Sequence, residues 1–364
     1  MNPYKNQPDY KFWKRSVVMP PLGQVDPVTN TVRIDRNDPI ATMGSCFAQH
    51  IANRLVQAGF NYLVTESDPL NRTATQPFSA RFGNVYTVRQ ALQLFSRAFD
   101  HTPHYDGAIW KVDEGYLDAF RPTVNSNPFS SIDDLMMSRE IHLRSVKEMF
   151  STAKWLIFTL GLTESWVSTK DGFVIPLAPG VISGDYEHQD YKFYNFSLEE
   201  VENDLEELIS KLNIINPKCG VILTVSPVPL IATYENRHVL QSNTISKSIL
   251  RLACHHAERR FTHVVYFPSF EIITNPASQS QFFEDDFRSV TTQGVDQVMR
   301  TFFARYTEPG SIEYGVSGTI GSSTFRATNG TEIDVLCDED IIEDALRIVE
   351  GTKRSAYPDE DVKT

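Results

Sequence analysis

One stretch, residues 39–60, constrains the fold of this chain more than any other. It passes from an apolar segment through Gly44 into residues whose apolar side chains recur at helical spacing, and Gly59 then ends the pattern. A buried strand followed at once by an amphipathic helix is the repeating unit of α/β proteins, which place their ligands at the carboxyl ends of parallel strands. We therefore expect a parallel sheet whose first strand and first helix meet at Ser45 and Cys46.

Ser45 and Cys46 fall in the first turn of the predicted helix. The backbone N–H groups at a helix start have no intrahelical partner and the helix dipole is positive there, so a thiolate or a developing anion is stabilised. A cysteine at such a position ionises more readily and becomes nucleophilic. Cys46 is therefore a candidate nucleophile. The alternative is a small buried thiol that packs the junction between strand and helix, which is a common use of free cysteine.

The segment Gly44-Ser45-Cys46-Phe47-Ala48 resembles the motif that gives the GSCFA family its name. That family is grouped with the SGNH, or GDSL-like, hydrolases and acyltransferases, in which the first sequence block reads Gly-Asp-Ser and the serine is the nucleophile. Superposing the glycines places Cys46 on the nucleophile and Ser45 on the aspartate. A shift of one residue makes Ser45 the nucleophile instead, so the resemblance implies an acyl-enzyme on Cys46 or Ser45.

Further segments extend this resemblance over roughly residues 10–306. The Ser-Pro-Val-Pro run at 226–229 and the Ser-Lys-Ser run at 246–248 are similar to other GSCFA signatures. Gly83 and Asn84 stand where the SGNH group has its second block, whose glycine N–H helps to bind the oxyanion, and the resemblance implies that role here. The alternative is an ordinary Gly-Asn turn.

The third SGNH block, Gly-x-Asn-Asp, corresponds to Gly-Leu-Thr-Glu at residues 161–164. The resemblance implies that Thr163, which can donate a hydrogen bond, takes the place of the oxyanion-binding asparagine. Glu164 supplies a carboxylate at the carboxyl edge of the sheet. The alternative is that Glu164 has a structural role, capping or pairing locally.

The fifth SGNH block, Asp-x-x-His, supplies the general base and the aspartate that orients it. Here Asp286 stands in the aspartate position and Ser289 in the histidine position, and a serine is not a base near neutral pH. Three histidines are candidate replacements: His238 after the Ser-Pro-Val-Pro turn, which we favour, His50 on the first helix, and His188 in an aromatic stretch. If none serves, the site has lost its base.

Alternation of strands and helices predicts the fold. We expect a three-layer α/β/α sandwich with a mainly parallel five-stranded sheet, flavodoxin-like in order and of the SGNH type. After the first strand, the predicted strands are 61–65, 155–161, 219–229 and 262–268, and the predicted helices include 87–98, 131–150, 242–256 and 291–306. Ser197 and Glu200 have the spacing of a capping box that opens a further helix.

We expect residues 1–306 to form this α/β domain, with an insertion at about 66–135. From residue 307 the composition changes to Gly, Ser and Thr, then to a short acidic helix near 338–349 and a charged tail. This region, 307–364, is interpreted as a partly disordered appendage or as a docking segment.

The formal net charge of −12 argues against nucleic acid and anionic membranes as partners, because both require a basic surface. Four cysteines are scattered singly, without the spacing of metal ligands, and indicate reduced thiols in a cytoplasmic protein: Cys46, Cys219, Cys254 and Cys337. No apolar run has the length of a signal peptide or a membrane span. We expect neither a metal ion nor a cofactor, and the oligomeric state is left open.

Together these features predict an acyl-ester hydrolase or an O-acyltransferase that acts on a glycan or another hydroxyl-bearing small molecule. The preference for a glycan follows from the family resemblance and from the aromatic stretch 185–194, whose rings either stack on sugars or pack a loop. The alternative is a non-catalytic glycan-binding or scaffold protein with a degenerate site, which Ser289 favours.

Overall fold

A computed structural model of the chain describes residues 2–67, 77–99, 108–182 and 190–308. Several predicted features lie outside these residues: His188, Cys337 and the acidic helix near 338–349. Of the aromatic stretch 185–194, the structure describes residues 190–194.

The strands in this part of the chain are β1 (Ile40–Gly44), β2 (Ile109–Val112), β3 (Gly115–Asp118), β4 (Trp155–Leu160), β5 (Glu164–Ser168), β6 (Val174–Ile175), β7 (Tyr191–Asn195), β8 (Gly220–Val225) and β9 (Val264–Tyr266). The α-helices are α1 (Phe47–Gln57), α2 (Val88–Phe99), α3 (Ile132–Thr152), α4 (Leu198–Ile215), α5 (Val239–Arg260), α6 (Ser269–Thr274) and α7 (Thr292–Tyr306). The predicted helices are present with ends that differ by a few residues. The predicted capping box of α4 is formed by Ser197 and Glu200.

The centre of the fold is a parallel sheet with the strand order β1-β4-β8-β9. Its register pairs Gly44 with Thr159 and Thr159 with Thr224, so the carboxyl ends of β1, β4 and β8 lie side by side. The predicted α/β class with a parallel sheet is therefore confirmed.

The predicted fifth strand, residues 61–65, is not confirmed. Tyr62 instead makes one isolated parallel bridge with Ile40, on the edge of β1 away from β4. Two residues further along β1, the N–H of Thr42 donates to the Ser79 hydroxyl at 3.0 Å. A side chain from a distant loop thus supplies the acceptor that the carbonyl of a fifth strand would supply.

Helices cover both faces of the sheet. Along β4, Leu156 and Phe158 pack into a core shared with α2, α3, α4 and α5. Ile157, between them, packs into a second core with α1, α6 and α7. Because successive side chains of a strand point to opposite faces, one buried strand contributes to both cores and three layers result.

Two smaller antiparallel units lie outside the central sheet: the β2–β3 hairpin and a sheet of order β6-β5-β7. A buried ion cluster joins the hairpin to α3, because the Asp118 carboxylate accepts hydrogen bonds from Arg121 and Arg139 at 2.8 to 3.0 Å. Burial alone raises the pKa of Asp118, but the two guanidinium groups outweigh it and hold the pKa well below its usual range.

Candidate functional site

A cleft opens at the carboxyl edge of the parallel sheet, where β1, β4 and β8 end. Its polar lining comes from the β1–α1 corner, the segment before α2, the chain after β8 and helix α5. The residues that line it are Ser45, Cys46, Tyr86, Gly161, Leu162, Ser226, Val228, Pro229, Leu230 and Lys247. Both predicted nucleophiles are therefore in one cleft at the predicted edge.

The corner between β1 and α1 depends on a glycine. Gly44 has a φ of +134°, a region that L residues rarely adopt, and Val85 N–H donates to its carbonyl at 2.8 Å. The next residue, Ser45, donates its N–H to the carbonyl of Thr159 at 3.0 Å. Hydrogen bonds to β4 and to the loop before α2 thus fix where Ser45 and Cys46 lie.

Ser45 is almost completely buried, and its hydroxyl has no hydrogen-bond partner among the described residues. The small residue Gly161 allows this approach, since a Cβ on it would lie 3.2 Å from Ser45 Cβ. A buried hydroxyl without a partner is costly and requires an explanation, of which a role in the chemistry of a site is one.

Cys46 is the residue that immediately precedes α1, and its side chain lies in the wall of the cleft. The N–H groups of Ala48 and Gln49 donate back to the carbonyls of Ser45 and Cys46. The N–H of Phe47 has no carbonyl acceptor in the part of the chain that the structure describes. A backbone donor and the positive end of the α1 dipole therefore lie next to the thiol, an arrangement that favours a thiolate.

Lys247 was not among the predicted site residues. It is 3% exposed, and its Nζ donates to the Gly161 carbonyl oxygen at 2.7 Å. Lysine is almost never fully buried without a specific partner or role. The sequence carries a signal for it, because Lys247 lies three residues before Leu250, on the apolar face of α5.

Thr163 and Glu164 lie beyond the cleft, at the start of the β6-β5-β7 sheet. Thr163 donates its hydroxyl to Asn195 Oδ1 at 2.7 Å and its N–H to Ser246 Oγ at 3.1 Å. Glu164 accepts a hydrogen bond from Thr233 at 2.7 Å, and burial raises the pKa of this carboxyl. Neither residue lines the cleft, so their oxyanion and substrate roles stay predictions.

Gly83 and Asn84 also lie outside the cleft, on the segment that leads to Tyr86. Asn84 is buried, and its Oδ1 accepts a hydrogen bond from Gln49 of α1 at 3.1 Å. Its backbone carbonyl accepts from Gln90 at 2.9 Å. Hydrogen bonds to α1 and α2 therefore hold this segment, which places Tyr86 in the lining of the cleft.

None of the described residues predicted to orient or replace the base lines the cleft. Asp286 accepts hydrogen bonds from the N–H and the hydroxyl of Ser289, at 2.8 and 2.6 Å, and both belong to an exposed turn. His238 is exposed and caps α5, where its Nδ1 accepts from the N–H of Leu240. Burial, with the Arg54 guanidinium, lowers the pKa of His50 to about 4.

None of the described residues that line the cleft is a histidine. The described ranges also contain no group of three or more His, Cys, Asp or Glu side chains placed to hold a metal ion. No helix in these ranges is both long and apolar enough to cross a bilayer.

The model of the GSCFA family matches residues 39–302, from the start of β1 into α7, and so includes every residue that lines the cleft. No curated protein matches the chain.

Proposed function

The chain belongs to the GSCFA family, and we propose that it is an acyl-ester hydrolase or an O-acyltransferase that uses Cys46 or Ser45 as its nucleophile. One observation carries the proposal: a thiol at a helix start and an unpaired buried hydroxyl share a cleft at the carboxyl edge of a parallel sheet. Enzymes of α/β architecture place their chemistry at that edge.

We also propose that the fold is related to the SGNH group. The strand order β1-β4-β8-β9, with the Tyr62 bridge on the outer side of β1, is the order expected of a flavodoxin-like sheet whose second strand is reduced to one residue. The sequence resemblance aligns the glycine-dependent corner at Gly44 with the first block of that group.

Cys46 is the preferred nucleophile. A thiol is partly ionised near neutral pH and attacks without a strong neighbouring base, whereas a hydroxyl requires one. Since no described residue lining the cleft is a histidine, the thiol is the better match to this site. The N–H of Phe47, the residue that follows Cys46, is a candidate donor to the oxyanion of the tetrahedral intermediate.

The substrate proposed is an O-acylated glycan or another hydroxyl-bearing molecule with a small acyl group. Leu162, Val228 and Leu230 make part of the cleft lining apolar. The aromatic stretch divides into two parts: Tyr191 is buried against Trp110, to which it is hydrogen-bonded, and therefore packs the fold.

Phe193 lies instead in a cluster with Trp166 and the exposed Tyr234, whose ring centroids are 5.0 to 6.1 Å apart. Tyr234 follows the cleft residue Leu230 by four positions, so one member of this cluster lies on the segment that leaves the cleft. Exposed aromatic faces of this kind suit the apolar faces of sugar rings. We place the reaction in the cytoplasm, which is supported by the free thiols of Cys46, Cys219 and Cys254.

Turnover of p-nitrophenyl acetate and of acetylated oligosaccharides tests the function. We expect Cys46→Ala to lose at least about 100-fold in rate, because a covalent nucleophile is removed. Cys219→Ala is the matched control, since it removes a buried thiol of the central sheet region. If Cys46→Ala and Ser45→Ala both turn over esters at the wild-type rate, the assignment fails.

A second candidate function is a non-catalytic glycan-binding protein. The specific observation that favours it is the turn at Asp286, where Ser289 occupies the histidine position and hydrogen-bonds to the aspartate instead of reaching the cleft. Calorimetric binding of oligosaccharides without turnover of any ester in a broad panel supports this alternative over the first.

A further inference from the structure

We propose that Lys247 takes the place of the missing histidine: its ammonium group stabilises the Cys46 thiolate and exchanges a proton with substrate in each half of the acyl-transfer reaction. The inference rests on the proposed function, because the proton exchange has meaning only if an acyl-enzyme forms. The stabilisation of the thiolate can be measured without any ester.

Burial is the first observation behind this role. Lys247 is 3% exposed on α5, and its Nζ donates to the neutral carbonyl of Gly161 at 2.7 Å. Removing an ammonium group from water is costly, and a lysine is almost never this buried without a specific partner or role. The group lies in the wall of the cleft that also contains Cys46.

Gly161 connects Lys247 to the corner that carries Ser45 and Cys46. This residue directly follows β4, and a Cβ on it would lie 3.2 Å from Ser45 Cβ. Its N–H donates to the Tyr86 carbonyl at 3.0 Å, which fixes its position against the segment before α2. The carbonyl that holds the Lys247 ammonium therefore belongs to the residue that packs against Ser45, next to Cys46.

The cleft contains a cationic side chain as well as its candidate nucleophile. Cys46, Tyr86 and Lys247 are the titratable groups among its described lining residues, and Lys247 is the cation of the three. A lysine beside a cysteine favours the thiolate. An ammonium group has three N–H donors and can give up a proton, so it can serve both as a counter-ion and as a general acid.

The reaction then balances without any added reagent. The thiolate electron pair forms a C–S bond to the acyl carbon, and the carbonyl electrons move to oxygen. When the intermediate collapses, the C–O bond to the alcohol breaks and the leaving oxygen takes a proton from the Lys247 ammonium. In the second half the neutral amine accepts a proton from water or from an acceptor hydroxyl as its oxygen attacks the thioester, which returns thiolate and ammonium.

Alkylation of Cys46 by iodoacetamide, followed by peptide mass spectrometry across pH, tests the counter-ion role in the full-length protein. We expect Lys247→Met to slow alkylation at mildly acidic pH by about tenfold or more, the change produced by one unit of thiol pKa. Lys218→Met is the matched control, because Lys218 is exposed and precedes β8 at the opposite edge of the sheet. Equal alkylation of wild type and Lys247→Met overturns the proposal.

Lys247→Arg separates charge from proton exchange, and it keeps the test available if the methionine variant does not fold. Arginine retains the positive charge but does not release a proton in proteins. We expect it to preserve rapid alkylation of Cys46 and to lose ester turnover. Equal ester turnover by wild type and Lys247→Arg would contradict the proton exchange.

The two proposals fail in different ways. Unchanged alkylation in Lys247→Met, with ester turnover intact in wild type, removes the role of Lys247 and leaves the proposed function in place. Slowed alkylation in Lys247→Met, with no turnover in wild type, removes the proposed function and the proton exchange and leaves the pairing of Lys247 with Cys46.

Discussion

The backbone of Gly44 lies so close to Thr159 that a side chain on Gly44 would place its Cβ 2.2 Å from the Thr159 carbonyl oxygen. The same oxygen accepts the N–H of Ser45 at 3.0 Å. The close contact between β1 and β4 therefore sets the start of α1, and with it the positions of Ser45 and Cys46 in the cleft.

Gly44→Ala is expected to destabilise the protein by about 3 kcal/mol or more, because it adds a clash to a strained φ. Gly172→Ala is the control, because Gly172 has a φ of +73° but nothing lies within 4 Å of an added Cβ. This variant should lose only the conformational part of the stability, about 1 to 2 kcal/mol. Urea unfolding measures both. Equal losses would show that contact with Thr159 does not constrain the corner.

Asp118→Asn is expected to cost about 3 to 5 kcal/mol, because it removes the carboxylate that the buried guanidinium groups of Arg121 and Arg139 share. Glu140→Gln breaks an exposed pair with Arg144 and is expected to cost about 0.5 kcal/mol or less. Comparable denaturant midpoints for the two variants would contradict the structural role assigned to Asp118.

His142 makes the fold sensitive to acid. Burial, reinforced by the Arg121 guanidinium, lowers the pKa of His142 to about 4, while its ordinary value is about 6.5. Between these values His142 binds a proton in the unfolded chain but not in the folded protein. Its contribution to the free energy of unfolding is therefore fully present above a pH of about 6.5 and is lost as the pH falls toward 4. The expected contribution is up to about 1.4 kcal/mol per pH unit.

In His142→Asn the amide N–H lies near the position of His142 Nδ1, which is 2.6 Å from Glu66 Oε2, but the side chain no longer titrates. Stability measured by urea unfolding should then depend less on pH in this window, though not become independent of it, because the pKa of His50 is also lowered to about 4. His256→Asn, on the exposed surface of α5, is the control. Identical pH dependence in wild type and His142→Asn would contradict the account.

Cys46 should be the most reactive thiol among the three described cysteines. Burial raises the pKa of Cys219 to about 12 and that of Cys254 still further, so neither forms a thiolate near neutral pH. Limited alkylation with iodoacetamide should therefore modify Cys46 first. If Cys46 stays unmodified until the protein is denatured, it is a packing residue and the candidate nucleophile becomes Ser45.

Local patterns in the sequence predicted much of this fold. The apolar runs at β4 and β8, the capping box at Ser197 and the glycine that ends α1 each depend on neighbours a few residues away. The predicted fifth strand is not confirmed: beyond its single bridge to β1, the N–H of Thr42 bonds to Ser79, from a loop 37 residues away in sequence. No local pattern reports such a contact.

The candidate site likewise has a part that local sequence predicts and a part that depends on distant contacts. The corner at Ser45 and Cys46 was predicted, since strand, glycine and helix are adjacent in sequence. Lys247 was not, because its hydrogen bond to Gly161 spans 86 residues and depends on how α5 packs beside β4. Two sequence signals point to it: its place on the apolar face of α5, and the Ser-Lys-Ser run at 246–248 that contains it.

Trapping the acyl-enzyme tests the central claim most directly. A short incubation with p-nitrophenyl acetate, an acid quench and peptide mapping by mass spectrometry should find acetyl on Cys46, as a thioester that neutral hydroxylamine removes. The adduct should be absent from Cys46→Ala and present in Cys219→Ala. Ester turnover by the wild type with no acetylated residue at Ser45 or Cys46, or turnover that survives the loss of both side chains, would contradict acyl transfer at this corner.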